Sequence, residues 1–166
     1  FISKVATVSS VIRSAESIIK YSKNKNNINV AIINAIGEWQ NYRQSIDSRI
    51  HMINLSKKNI SESLPKESFF KSRLSYVLIF TLTFFKLLNL INKEKPDYVI
   101  AHLLTSLPIF LTLIIKNNTK VIIRISGLPK LNFIRYIFWK LFSKKIYKVT
   151  CPTASTYEYL KKKNIF

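Results

Sequence analysis

The sequence predicts a parallel α/β domain in a doubly wound layout, and three observations carry that prediction. The break Lys95-Pro96-Asp97 leads into the apolar run Tyr98-Val99-Ile100-Ala101, which stops on an ionisable residue, His102. Continuous apolar runs of this kind suit strands buried on both faces, the habit of parallel sheets covered by helices. The same plan recurs from Lys120 through Val121-Ile122-Ile123-Arg124-Ile125 to Ser126-Gly127, and more weakly from Ile146 to Cys151 ahead of Pro152-Thr153. Between the first two runs lies an apolar stretch, Ser106 to Lys116, long enough for a crossover helix. In such sheets ligands bind beyond the carboxyl ends of the strands, which puts His102, Ser126 and Gly127 on one candidate rim.

Each element follows in order. Val8, Val11, Ile12, Ala15, Ile18 and Ile19 form an i, i+3/i+4, i+7 series, so Val8 to Lys23 is a first amphipathic helix, ended by the Asn- and Lys-rich turn Lys23 to Asn27. Asn29 to Ile36 is a strand closed by Gly37. Gln40 to Ser48 is polar, a loop or short helix, and His51 to Leu55 is another short strand. Ser56 to Ser68, rich in Ser, Lys and Glu and holding Pro65, is an exposed loop. Phe69 to Asn92 is a long helix ahead of the Tyr98 strand. Beyond Gly127 and Pro129, Asn132 to Ser143 is an aromatic-rich helix, and Ala154 to Lys163 a final one with Thr153 as N-cap.

A length of 166 residues fits one domain with a real core, and a hydrophobic content of 48% argues against disorder. The single cysteine, Cys151, excludes a disulfide within the chain and a Cys-rich metal site. The net charge of +19 suits nucleic acid or an anionic membrane surface. Lys outnumbers Arg 21 to 6, however, whereas base and phosphate readers favour the bidentate fork of Arg, so the membrane surface is the expected partner and nucleic acid is not. Tyr76 to Ile91 is about the shortest stretch that could span a bilayer and is interrupted by Lys86 and Asn89; Leu103 to Ile115 is shorter and holds Pro108. Both suit helices buried against a sheet, with a protein of two short spans as the alternative. Phe1 and the closing Asn164-Ile165-Phe166 have the character of cut ends, so a fragment is expected.

Several chemistries are disfavoured. The chain has no phosphate-binding loop, no Gly-x-Gly-x-x-Gly, no Gly-x-Ser-x-Gly and no His-Glu-x-x-His, and its two glycines cannot build a phosphate cradle. There is no Asp-x-Asp pair and only eight acidic residues, so a metal site is not expected. His102 is the strongest chemical candidate: an imidazole at a strand's carboxyl end can donate to a substrate hydroxyl or phosphate oxygen, though a lone histidine is as often a structural cap. Gly127 after Ser126 would let backbone approach a ligand, or simply turn the chain. Arg124 could reach a phosphate or pair with Asp97 or Glu94. The aromatics Phe133, Tyr136, Phe138 and Trp139 belong first to core or interface.

Taken in succession, the pieces resemble the amino-terminal, acceptor-side domain of the family 4 GT-B glycosyltransferases, the retaining group that uses nucleotide-sugars. The residues are Lys4-Val5-Ala6-Thr7-Val8, the Pro96-Asp97 strand to His102, Val121 to Gly127, and Val149-Thr150-Cys151-Pro152-Thr153 with Thr156 and Leu160. The resemblance covers nearly the whole of 1–166. It implies a Rossmann-like sheet, ordered 3-2-1-4-5-6 when complete, as one half of a GT-B fold. It also implies a sugar transferase of the hexosyltransferase type, building bacterial lipopolysaccharide, capsule or another surface glycan from a nucleotide-sugar co-substrate, with no cofactor. The acceptor would be a glycan or lipid-linked molecule, and the location cytoplasmic, peripheral on the inner face of the cell membrane. His102 would be catalytic, contacting the transferred sugar or phosphate; Ser3, Lys4 and Thr7, with Arg124, Ser126 and Gly127, would bind substrate along the cleft. Where the family usually has Gly-Gly in its first loop this chain has Ser3-Lys4, and Lys4 would supply charge where amides are lost. The family's first strand would precede Phe1, and the donor-binding carboxyl-terminal domain with its Glu-x7-Glu segment would follow. The chain alone would then be inactive. A non-catalytic α/β binding module is the alternative in a different class.

Overall fold

In the computed structural model, residues 4–22, 28–37, 39, 46–60, 69–102, 106–129 and 131–165 are described. The elements are α1 (Lys4–Tyr21), β1 (Val30–Asn34), β2 (Ile50–Asn54), α2 (Phe69–Glu94), β3 (Tyr98–His102), α3 (Ser106–Ile114), β4 (Lys120–Arg124), α4 (Phe133–Phe142) running into a 3₁₀ turn at Ser143–Lys145, β5 (Lys148–Thr150) and α5 (Ala154–Lys162). The chain divides into two compact units, Phe1–Thr83 and Phe84–Phe166, with the boundary inside α2.

In the first unit β1 and β2 pair in parallel, from Val30 opposite Ile50 to Asn34 opposite Asn54. Ala15 and Ile19, one helical turn apart on α1, pack with Ile32, Trp39 and Ile50 in a small core. The helix begins at Lys4 rather than Val8, because Lys4-Val5-Ala6-Thr7 contains no Gly or Pro to hold the first turn open. Lys4 and Thr7 lie on the opening of α1, where Lys4 to Val8 was expected to open the first helix, and Ser3 lies outside the described residues. Most of the polar stretch 40–48 and the loop portion 61–68 also lie outside them.

The turn after β1 is built around a buried amide. Asn34, 1% exposed, donates its side-chain N–H to Asn54 Oδ1 at 2.8 Å and accepts the Gly37 N–H at 3.1 Å. Gly37 has φ of +80°, and a Cβ there would stand 2.5 Å from the Lys58 carbonyl oxygen. Both the backbone angle and the approach of Lys58 demand glycine.

The second unit holds a parallel sheet ordered β3-β4-β5, with His102 opposite Arg124 and Arg124 opposite Thr150 at its carboxyl edge. Right-handed crossovers that advance in one direction place their helices on one face, and α3 and α4 do pack on each other. Beneath them β4 contributes Val121 and Ile123, continued by Ile125, to a core with Ile109, Trp139, Leu160 and Ile165. Burying each such side chain contributes roughly 1.5–3 kcal/mol. The opposite face carries Tyr98, Ile100, Lys120, Ile122 and Lys148, and Tyr98 and Ile100 are 49% and 38% exposed. The Lys120 ammonium sits between two rings there, 5.5 Å from Tyr98 and 4.9 Å from Tyr147.

Side chains at the opposite edge stitch neighbouring turns together. Asn117 donates from Nδ2 to the Ile91 carbonyl at 3.1 Å and accepts the Thr119 N–H at 3.0 Å, while the Thr119 hydroxyl donates to the Pro96 carbonyl at 2.7 Å. At the far end Thr153 caps α5 through the Thr156 N–H, and Asn164, at φ of 48°, turns the chain so that Ile165 is buried.

The parallel α/β class is thus observed, while the strand pairing differs from a single continuous sheet. Among the described residues the strands form one two-stranded and one three-stranded sheet with no ladder joining them. Apolar runs specify that strands exist; they do not specify which strands pair. No helix among the described residues is long and apolar enough to cross a membrane. Gly37→Ala is predicted to lower unfolding free energy by about 2–4 kcal/mol, the sum of a left-handed alanine and a backbone clash, read from denaturant midpoints.

Candidate functional site

Among the described residues all five strands end on a polar residue: Asn34, Asn54, His102, Arg124 and Thr150. In the second unit these ends fall in one row. Side chains alternate faces along a strand, so His102, Arg124 and Thr150 share the face opposite Val121 and Ile123 and turn away from the apolar core. Adjacent strands lie about 4.8 Å apart, which brings the imidazole and guanidinium within reach of one small ligand group.

His102 is half-buried, and burial pushes its pKa below the ordinary 6.5, with the Arg124 charge acting in the same direction. At neutral pH the imidazole is therefore uncharged, with one nitrogen able to donate and the other to accept. The pairing of Arg124 with Asp97 does not fit the register. Arg124 stands opposite His102, five residues along β3 from Asp97, roughly 16 Å away and beyond side-chain reach. Glu94 lies beside Lys93, at 3.7 Å.

Ser126 and Gly127 are exposed just beyond β4. A Cβ at Gly127 would meet nothing within 4 Å, and its φ lies outside the left-handed region. Unlike Gly37, this glycine is required neither by backbone angle nor by packing. The electrostatic setting is one-sided, because no Asp or Glu occurs between Asp97 and Glu158. The first turn of α5, directly after β5, also lacks an acidic residue. Arg124 and the N-terminus of α5 thus belong to a stretch of sequence that supplies no carboxylate of its own, a setting for a bound anion rather than a metal ion. Among the described residues no group of three His, Cys, Asp or Glu is placed to hold a metal.

No protein-family model, curated protein or solved structure matches this chain. The site therefore rests on its own chemistry.

Of the residues expected from sequence, His102 and Arg124 come together, with Ser126 and Gly127 following on the same strand exit; Lys4 and Thr7 belong to the other unit. Thr150 was missed because its strand is short and weakly apolar, and its place beside Arg124 depends on register. Asn34 and Asn54 were missed as well, although an apolar strand stopping on a polar residue is the same signal that singled out His102. A hollow lined by Ile46, Asp47, Ser48, Ile50, His51 and Met52 lies near the amino end of β2, at the end of that strand opposite Asn54.

The depressed His102 pKa fixes the sign of a pH effect. Between the folded pKa and about pH 6.5 the unfolded chain takes up a proton that the folded chain resists, so stability falls as pH falls through that window and no longer depends on His102 above it. Melting temperatures measured from about pH 7 to about pH 5.5 should fall less in His102→Gln than in the parent protein.

Proposed function

We propose that this chain is the acceptor-side domain of a GT-B glycosyltransferase of the family 4 type, acting with a donor-binding domain to move a sugar from a nucleotide-sugar to a surface-glycan or lipid-linked acceptor. The observation that carries this reading is the His102–Arg124–Thr150 row at the carboxyl edge of a parallel sheet, in a stretch free of carboxylates. Ligands of open α/β sheets collect at that edge.

Each residue has a role consistent with its setting. Neutral His102 donates a hydrogen bond to a sugar hydroxyl or phosphate oxygen as charge builds on the leaving group. Arg124 supplies the fixed positive charge, and its planar fork matches a phosphate. Thr150 adds a hydroxyl to the same row. Ser126 and Gly127 line the approach, where the open space at Gly127 admits a ligand close to the backbone. The resemblance adds Lys4 and Thr7 from the start of α1. A lipid-linked acceptor calls for a peripheral position on the inner face of the cell membrane.

In a protein carrying both domains, His102→Ala should lower turnover roughly 100- to 1000-fold, about 2.7–4 kcal/mol of barrier, with little change in melting temperature. Gly127→Ala should spare stability and weaken substrate use. The isolated chain should transfer no sugar. A purely structural His102 gives the reverse pattern, a lower melting temperature with normal turnover per folded molecule.

A further inference from the structure

Helix α4 presents two unlike faces. Trp139, 1% exposed, anchors it in the core, with Tyr136, Phe138 and Phe142 packed around the same cluster. Facing outward are Phe133 at 77%, Ile134 at 78%, Ile137 at 39% and Leu141 at 62% exposure. Phe133, Ile137 and Leu141 follow at four-residue steps with Ile134 beside them, an exposed apolar strip confined to an arc of about 100°. Single exposed apolar residues are ordinary, but a strip along one helix marks a contact surface. Leu128, in the loop that precedes the helix, is also 61% exposed.

Charge decides the occupant. Lys140, Lys144 and Lys145 are exposed along and just beyond the end of the helix, and Lys140 reaches back to the Tyr136 hydroxyl at 3.5 Å. Residues 84–166 carry 15 Lys and Arg against 3 Asp and Glu, a net +12. Two copies of such a surface repel each other, whereas an anionic lipid surface attracts it. An apolar strip flanked by lysines whose long stems can reach the headgroups is the arrangement of a helix lying in a membrane interface.

We infer that α4 is the surface by which this protein sits on an anionic bilayer: Phe133, Ile134, Ile137 and Leu141 enter the boundary between headgroups and acyl chains, and Lys140, Lys144 and Lys145 engage lipid phosphates. The surface names the contact behind the peripheral position proposed above, and its test needs no sugar transfer.

The test is sedimentation of the full chain with vesicles of equimolar phosphatidylglycerol and phosphatidylcholine at low salt. The parent protein should bind, and a Phe133→Ser, Ile134→Ser, Leu141→Ser variant should bind at least roughly tenfold more weakly, with circular dichroism and melting unchanged because all three side chains are exposed. A Lys140→Gln, Lys144→Gln, Lys145→Gln variant should lose about tenfold or more on the same vesicles and nothing on pure phosphatidylcholine. Absence of binding by the parent protein overturns the inference. Undiminished binding by the serine variant overturns it too, while leaving a peripheral location through another surface. A lipid-free dimer of the parent protein, seen in sedimentation velocity and abolished by the same serine substitutions, also overturns it, since a second copy would then cover the strip.

Discussion

The register of β4 against β3 is the constraint on which the second unit depends. Parallel strands cannot be joined by a tight turn, so their alignment must be fixed by contacts made elsewhere. Asn117 and Thr119, leading into β4, bind the carbonyls of Ile91 and Pro96 ahead of β3, and the Lys120 N–H then donates to the Asp97 carbonyl at 2.9 Å. A slip of one residue would turn Val121 and Ile123 out of the core and carry Arg124 off the face it shares with His102. Core and candidate site are therefore set by the same few hydrogen bonds, made at the end of the sheet away from the chemistry. Ile123, 0% exposed, is the packing counterpart of Arg124 one residue on.

The charge of this chain has two distinct meanings. Most of the +19 is carried by lysines over the surface, where water screens each one and salt weakens their sum. Arg124 is different, because it stands beside a half-buried imidazole in a stretch without carboxylates, and there its charge helps hold His102 neutral. An anion drawn to that edge would reverse the balance, favouring the protonated imidazole that Arg124 disfavours.

Much of this was legible in the sequence because local signals agreed with one another. The Pro96-Asp97 break, the apolar strand and the terminal His102 marked β3 correctly, and Thr153 marked the start of α5. What failed to show was pairing. The residues Lys148-Val149-Thr150 give a weak strand of three, and only its neighbour β4 makes Thr150 part of a row. Arg124 looked like a partner for Asp97 because both flank apolar runs; register alone separates them. The two glycines also looked alike in sequence, yet Gly37 answers to the Lys58 carbonyl and a positive φ, whereas Gly127 faces open space. The outward strip of α4 was hidden among aromatics that, by composition, belonged equally to the core.

If the strand-end row receives an anionic group, as proposed above, NMR of the two histidines will show it while inorganic pyrophosphate is added. His102 should respond saturably with its pKa moving upward, His51 in the first unit should respond less, and the His102 response should be lost in Arg124→Ala. Equal, unsaturable drift of both histidines, or a His102 response that survives Arg124→Ala, would contradict it.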